Sequence, residues 1–265
     1  DTLVVTGTTQ TRNAISSSGN QTFGGTVSLS DTATFTGDTL SHTGFSGASN
    51  DLTLTFDGVV ELDGSQFVDI NDFSTTGTGG VNLSGNFTTE RTQSYTGGGI
   101  NLVGDAVLET ESSSTIGRIT VEASSPIDGG YNLTLTSSAS PDEFSIKSVV
   151  GATSPLASLT ISNATRAYVY ENVATTGVQT YSTSTLWLGG CGTQCLSASD
   201  VVINAQTEGL GTSPDVVIAG NLDVNAEIDR GVSGFDLETL TVTGTADLGG
   251  NVRTNSGQVY EGSVT

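Results

Sequence analysis

The sequence predicts an all-β fold, a right-handed parallel β-helix (β-solenoid) in which short strands wind into stacked coils. Composition, local alternation and an internal repeat lead to this prediction. The 265 residues include 35 glycines and no methionine, and only 6% are aromatic. Threonine and valine are restricted at χ1 and favour strands, whereas glycine and asparagine tolerate the backbone angles of tight turns. The composition therefore favours short strands joined by turns over helices.

Local alternation of apolar and polar residues supports the strand assignment. Pairs of aliphatic residues two positions apart, separated by threonine, recur at Leu52/Leu54, Leu133/Leu135, Leu159/Ile161 and Leu240/Val242. A period of two is typical of a strand with one buried and one wet face. Glycine-containing breakers follow one another too closely for helices of ordinary length.

An internal repeat organises the chain. A Gln-x-aromatic phrase occurs at Gln21-Thr-Phe23, Gln93-Ser-Tyr95, Gln179-Thr-Tyr181 and Gln258-Val-Tyr260. The segment Asp1–Ser28 also aligns without a gap on Glu238–Thr265. The repeat predicts one continuous solenoid, residues 1–265, with super-repeats at approximately 1–72, 73–157, 158–236 and, in part, 237–265. Each would comprise several coils of roughly 20 residues.

A string of immunoglobulin-like β-sandwich modules, one per super-repeat, is the alternative architecture. Such modules need a larger aromatic core and a recurring linker, but the only tryptophan, Trp187, is not repeated. A solenoid also absorbs the unequal spacing of the repeated glutamines in its corner loops. The β-solenoid is therefore the preferred fold.

The charge balance excludes some partners. Seven Lys and Arg residues face 28 Asp and Glu residues, giving a formal net charge of -21. This argues against nucleic acid and anionic membrane surfaces as partners, and no apolar run is long enough to span a bilayer. Acidity of this degree keeps a β-rich protein soluble and discourages edge pairing.

The acidic stretch Asp57, Glu61, Asp63, Asp69 and Asp72 is the best candidate for a calcium site, because Ca²⁺ prefers six to eight oxygen ligands. Neither an EF-hand loop nor a glycine-rich Asp nonapeptide is present. A solvated acidic face is the competing interpretation. Calcium is the only cofactor that the sequence suggests.

Two cysteines, Cys191 and Cys195, lie four positions apart. This spacing favours a local disulfide that closes one loop, which implies an oxidising compartment and a secreted or cell-surface location. Two free thiols or a metal site are the alternatives. A zinc site would need further ligands, and the only histidine, His42, is distant in sequence.

Catalysis is the least favoured function. A polysaccharide-active β-helix enzyme needs paired carboxylates, or a base beside a metal-holding acid, on one face of the coils. The only lysine is Lys147, the arginines are dispersed, and Ser41-His42-Thr43 is typical of a solvated polar loop. The sequence therefore predicts that the chain is not an enzyme.

Two segments carry a family resemblance. Leu156–Ser184 (LASLTISNATRAYVYENVATTGVQTYSTS) and Gly129–Ser138 (GGYNLTLTSS) resemble the repeats of large bacterial surface proteins of the filamentous haemagglutinin-like kind. The resemblance implies a secreted β-helical shaft, exported through an outer-membrane partner and used in adhesion, aggregation or biofilm matrix. The two cysteines depart from this pattern.

The expected function is that of a structural and adhesive segment of an extracellular surface or fibre protein. Its partners would be glycans or proteins of a host or cell surface, or other copies of itself, bound through many weak contacts. A self-assembling matrix or sheath filament subunit is the alternative function.

Overall fold

The computed structural model describes residues 1–111, 116–138, 142–189, 196–210, 215–228 and 237–265. In these ranges the chain is a parallel β-solenoid of about eleven turns. Their only helical element is a single 3₁₀ turn, Gly64–Gln66. Every described strand pairing is parallel, as in β3 on β6 and β25 on β27. The predicted fold class is confirmed, and separate sandwich modules are not formed.

The described residues form twenty-seven strands. They are β1 (Leu3–Val5), β2 (Thr9–Thr11), β3 (Ile15–Ser16), β4 (Gln21–Phe23), β5 (Val27–Leu29), β6 (Ala33–Gly37), β7 (Leu40–Ser41), β8 (Phe45–Phe56), β9 (Val60–Asp63), β10 (Phe67–Thr75), β11 (Val81–Tyr95), β12 (Ile100–Thr110), β13 (Arg118–Val121), β14 (Ile127–Asp128), β15 (Asn132–Ser137), β16 (Glu143–Ile146), β17 (Ser158–Ser162), β18 (Arg166–Val169), β19 (Val173–Ala174), β20 (Gln179–Ser182), β21 (Thr185–Leu188), β22 (Leu196–Ile203), β23 (Gln206–Gly209), β24 (Asp215–Val224), β25 (Thr239–Val242), β26 (Ala246–Leu248) and β27 (Gly257–Tyr260).

Each turn visits three faces in a fixed order. Face 1 contains β1, β4, β7, β9, β14, β19, β25, β27 and the first parts of β11, β12, β22 and β24. Face 2 contains β2, β5, β15, β17, β20, β26, the first parts of β8 and β10, the middle of β11 and the last parts of β12, β22 and β24. Face 3 contains β3, β6, β13, β16, β18, β21, β23 and the last parts of β8, β10 and β11.

The interior of face 1 is a column of aliphatic side chains. The successive members, each in register with the next, are Val60, Val81, Ile100, Ile127, Val150, Val173, Leu196, Ile218 and Val242. All nine are buried. Because neighbouring strands are about 4.8 Å apart, equivalent side chains pack on one another from turn to turn. The column continues across every predicted super-repeat boundary that it meets.

The amino-terminal turns contain a group of packed aromatic side chains in addition to aliphatic ones. An unbroken series of rings, with successive centroids 4.6–6.0 Å apart, is formed by Phe23, Phe35, Phe45, Phe67, Phe87, Phe73 and Tyr95, in that order of contact. These seven are among the sixteen aromatic residues of the chain, and Phe144 and Tyr181 are buried singly further along the solenoid.

Corners of the solenoid bring backbones into close contact at a few glycines. At the corner between faces 3 and 1, a Cβ on Gly77 would lie 1.9 Å from the Phe56 carbonyl oxygen, and one on Gly97 would lie 1.8 Å from the Gly77 carbonyl oxygen. No side chain fits at either distance. The Thr-Gly-Thr-Gly-Gly and Thr-Gly-Gly-Gly runs are therefore required by corner packing.

Three glutamines of the repeated phrase, Gln21, Gln93 and Gln179, are buried in the core, whereas Gln258 is exposed. Gln93 Nε2 donates to the carbonyl oxygens of Phe87 (3.0 Å) and Glu109 (2.8 Å), and Tyr95 Oη donates to Gln93 Oε1 (3.1 Å). Gln179 and Tyr181 repeat the arrangement at matching positions. Burial raises the pKa of both tyrosines, which stay neutral. The phrase is a buried polar clamp that joins strands of successive turns.

The register gives the super-repeat an unexpected geometry. Gln21 lies on face 1, Gln93 on face 3, Gln179 on face 2 and Gln258 again on face 1. From one copy of the phrase to the next, the chain therefore winds through three full turns plus two more faces. Successive copies are rotated by one face, and three super-repeats complete eleven turns.

Candidate functional site: the charged ladder of face 3

The basic residues in the described part of this acidic chain lie on one side of the solenoid. Six of the seven lie in described segments: Arg12, Arg91, Arg118, Lys147, Arg166 and Arg253. Each lies on face 3 or at a corner that borders it. In the described part of the chain, no strand segment of face 1 or face 2 contains Lys or Arg. Arg230 lies outside the described residues.

Three charged residues alternate in sign along the solenoid axis. Glu143 lies in register between Arg118 on the preceding turn and Arg166 on the following turn. Its carboxylate oxygens lie 3.5 Å from Arg118 Nε and 2.9 Å from Arg166 Nη1. The hydrogen bond to Glu143 raises the pKa of Arg166. We call Arg118, Glu143 and Arg166 the charge ladder.

Two further ion pairs lie on the same side. Arg91 Nη2 lies 2.6 Å from Asp72 Oδ2, and Lys147 Nζ lies 2.9 Å from Glu122 Oε1. About half of the side-chain surface of Arg91, Arg118 and Arg166 remains accessible, at 46%, 55% and 53%. Exposed pairs of this kind contribute little to stability, because solvent screens them. Each guanidinium retains N–H groups that can donate hydrogen bonds to a second carboxylate.

Aromatic side chains continue the surface beside the charge ladder. Tyr168 and Trp187 lie in register, their ring centroids are 6.1 Å apart, and their planes differ by 17°. Tyr170 follows at a centroid distance of 6.4 Å from Tyr168 and is 37% exposed. Partial desolvation raises the pKa of Tyr168, so its hydroxyl remains a neutral hydrogen-bonding group. Face 3 therefore combines cations with half-buried aromatic rings.

The positive charges follow the face and not the sequence repeat. The residue two positions before the repeated glutamine is Gly19, Arg91, Gly177 and Ser256 in the four copies. Only the copy that lies on face 3 has arginine there. Because each copy is rotated by one face, a cation inherited at a fixed repeat position would appear on all three faces. Its confinement to face 3 indicates a property of that surface.

The five calcium candidates are not brought together. Asp57 accepts a hydrogen bond from Thr78, Glu61 from Asn82, and Asp63 from Ser65. Asp72 pairs with Arg91, and Asp69 lies at the corner of faces 2 and 3 with a φ of 53°. The stretch spans most of one turn, so its carboxylates are distributed around the perimeter. In the described segments, no group of three His, Cys, Asp or Glu side chains is arranged to hold a metal ion.

Two other predictions have different outcomes. Cys191 and Cys195 lie outside the described residues.

The prediction of a solvated loop is wrong for the His42 side chain. Its ring centroid lies 5.1 Å from that of Phe45 and 5.3 Å from that of Phe67. Its Nε2 lies 3.0 Å from the Glu61 carbonyl oxygen. Burial lowers the pKa of His42, because desolvation disfavours the imidazolium. The ring extends the aromatic core toward the surface.

Sequence reasoning missed face 3, although it noted that the arginines are dispersed. In linear sequence they are far apart, and only the turn lengths show that they lie on one side.

Comparison with known proteins adds no assignment, since no family model, curated protein or solved structure matches the chain. Among the described residues, no helix has the length and apolar character needed to cross a membrane.

Proposed function

We propose that this chain is a structural and adhesive segment of an extracellular surface or fibre protein, presenting a repetitive surface along a stiff shaft. The observation that carries the proposal is the unbroken interior column from Val60 to Val242, which runs through the super-repeats without a domain boundary. Each turn packs only on its two neighbours, so such a rod extends by addition of turns. Eleven turns correspond to about 53 Å of shaft.

Secretion to the cell surface is part of this proposal. The resemblance of Leu156–Ser184 to secreted β-helical shafts supports it, and the spacing of Cys191 and Cys195, which suits a local disulfide, agrees with it. We propose no catalytic role, because the cations Arg118, Arg166 and Lys147 each pair with a carboxylate in a surface ion-pair network. General acid–base chemistry needs a free group beside a substrate cleft.

A self-assembling matrix or sheath filament is the second candidate function. The confinement of cations to face 3 favours it, since a rod with sides of different charge has a built-in preference for how its copies lie together. Adhesion and assembly are compatible in one shaft.

The proposal is tested by displaying the chain on a non-adherent cell and measuring attachment to surfaces coated with glycans or host proteins. A variant lacking residues 93–178 loses one super-repeat, and Gln179 then takes the position of Gln93, so that Tyr181 replaces Tyr95. We expect this variant to remain folded and to attach more weakly, in proportion to the lost surface. Loss of all attachment through a single surface substitution would contradict a distributed function, as would the absence of attachment to every surface.

A further inference from the structure

We propose that face 3 binds the acidic side of a second copy of this chain, so that shafts associate laterally with a stagger. The donor surface is the charge ladder with the flanking Arg91 and Lys147. The acceptor is a set of three aspartates on face 2, Asp200, Asp223 and Asp247, which line one groove and which we call the acidic groove. The inference deepens the proposed function and rests on it for the extracellular setting.

The acidic groove carries negative charge that no described cation compensates. Asp223 and Asp247 lie directly in register on adjacent turns, and neither forms a salt bridge with a described residue. Like charges opposite each other on neighbouring strands are destabilising. Asp200 is held one turn earlier by a 2.9 Å hydrogen bond from Asn221 Nδ2. A cation inserted between these carboxylates would relieve their repulsion.

Spacing along the axis matches donor to acceptor. Arg118 and Arg166 are two turns apart, with Glu143 between them. Asp200 and Asp247 are also two turns apart along the axis, with Asp200 placed two positions earlier in its strand, because Asp200 pairs with Asn221 and Asp223 pairs with Asp247. At about 4.8 Å per turn both intervals are about 10 Å. Each arginine can then donate to one aspartate of the partner while it keeps its contact with Glu143.

The charge pattern favours another copy of the chain as the occupant. A chain with a formal net charge of -21 repels its copies except where the charge is locally reversed or neutralised. Face 3 is that region, and the acidic faces of an identical rod are its complement. Because the two surfaces are different patches at different heights of the solenoid, the contact is heterologous. Heterologous contacts produce open, staggered arrays unless the rotation between copies closes a ring.

The experiment is sedimentation velocity of the whole chain over a range of concentrations, at low and at high NaCl concentration. We expect concentration-dependent association at low salt that is about tenfold weaker at high salt, where screening shortens the range of the charge interactions. The double variant Arg118→Glu/Arg166→Glu removes the donor, and Asp223→Lys/Asp247→Lys removes the acceptor. Each variant alone is expected to stay monomeric. The charge-matched control Glu61→Lys/Asp215→Lys, on face 1, is expected to associate like the wild type.

Mixing the two defective variants is the decisive arm. The donor variant keeps an intact acidic groove and the acceptor variant keeps an intact charge ladder, so an equimolar mixture should form a 1:1 dimer and nothing larger. Circular dichroism must show that all variants keep the wild-type β spectrum, and Arg118→Gln/Arg166→Gln replaces any charge-reversal variant that does not fold. A mixture that stays monomeric would overturn the proposal. An acceptor variant that associates on its own would also overturn it, and would point to a symmetric contact between two copies of face 3.

A wild-type chain that is monomeric at low salt would also overturn it, including one that binds an anionic polysaccharide such as heparin through face 3. Attachment in the cell assay that survives in the donor variant would leave the adhesive function standing while assembly fails. Loss of attachment with intact association would leave the assembly standing while the adhesive function fails.

Discussion

The two ends of this solenoid have the same fold and different cores. Up to Tyr95 the interior contains a series of aromatic rings packed mostly edge to face or tilted, and the turns are short, as the register of Leu3, Gln21 and Leu40 on face 1 shows. From Ile127 to Leu196 the interior column is aliphatic, and the turns are longer and equal in length. The parallel ladder therefore does not dictate one core chemistry. The two regions differ in how strongly each turn depends on its neighbours. Aromatic rings contact rings from other faces and turns, whereas each aliphatic side chain packs mainly on the equivalent side chain of the next turn.

Deleting one whole turn from each region should produce the largest difference. Removal of residues 150–172 places Val173 on Ile127 and keeps the aliphatic column intact, so we expect a folded, slightly shorter rod. Removal of residues 40–59 eliminates Phe45 and Phe56 and interrupts the aromatic series, so we expect the amino-terminal turns to lose cooperative folding. Hydrogen exchange measured by mass spectrometry resolves the two outcomes by region. Equal protection in both variants would show that core chemistry does not matter.

Shortening one buried side chain in each region should have the next largest effect on stability. Phe73 is buried and its ring centroid lies 4.6 Å from that of Phe87, so Phe73→Ala should destabilise the chain by about 4 kcal/mol. Ile161→Val, at a buried aliphatic position, should cost about 1 kcal/mol. Urea denaturation followed by circular dichroism measures both. The comparison would fail if Ile161→Val were the more damaging change.

Two substitutions in the polar clamp should change the stability of the chain by smaller amounts and in opposite directions. Tyr95→Phe leaves the buried Oε1 of Gln93 without its donor and should cost about 1–2 kcal/mol. In the first copy the aromatic residue is Phe23, and Gln21 Oε1 has no hydrogen-bond partner among the described residues. Phe23→Tyr should therefore stabilise the chain by up to about 1 kcal/mol. Thermal melts of the two variants should shift in opposite directions, and a loss of stability in both would show that the hydroxyl does not fit the first site.

The smallest effect is expected from pH. Burial lowers the pKa of His42, so the unfolded chain binds a proton more readily than the folded chain does. Stability from this residue is complete above the unfolded pKa of about 6.5 and declines as the pH falls below it. Melting temperatures measured at neutral and at mildly acidic pH should therefore differ more for the wild type than for His42→Gln. An identical pH response would show that the ring is solvated.

The sequence predicted the class of fold, since alternation at residues such as Leu133 and Leu135 needs no knowledge of distant contacts. It also predicted the super-repeat, although not how the repeat is divided among turns. That division depends on corner lengths, and the turn from Val81 to Ile100 on face 1 is much shorter than the next, from Ile100 to Ile127. For the same reason the acidic run 57–72 suggested a compact site, whereas its carboxylates lie on different faces. The assignment of the arginines to one face needed the register itself.

The advance of three turns and two faces per super-repeat has a consequence for how such a gene changes. When one unit is duplicated, the new copy enters the protein turned by a third of a revolution, so an inherited surface residue meets surroundings that its template never had. A contact that is useful on one side appears there a second time only when the third new copy has been added. Duplication therefore lengthens the shaft at once but diversifies its sides, and a side with a consistent character, such as the one that collects the arginines, must be maintained by substitutions within individual copies.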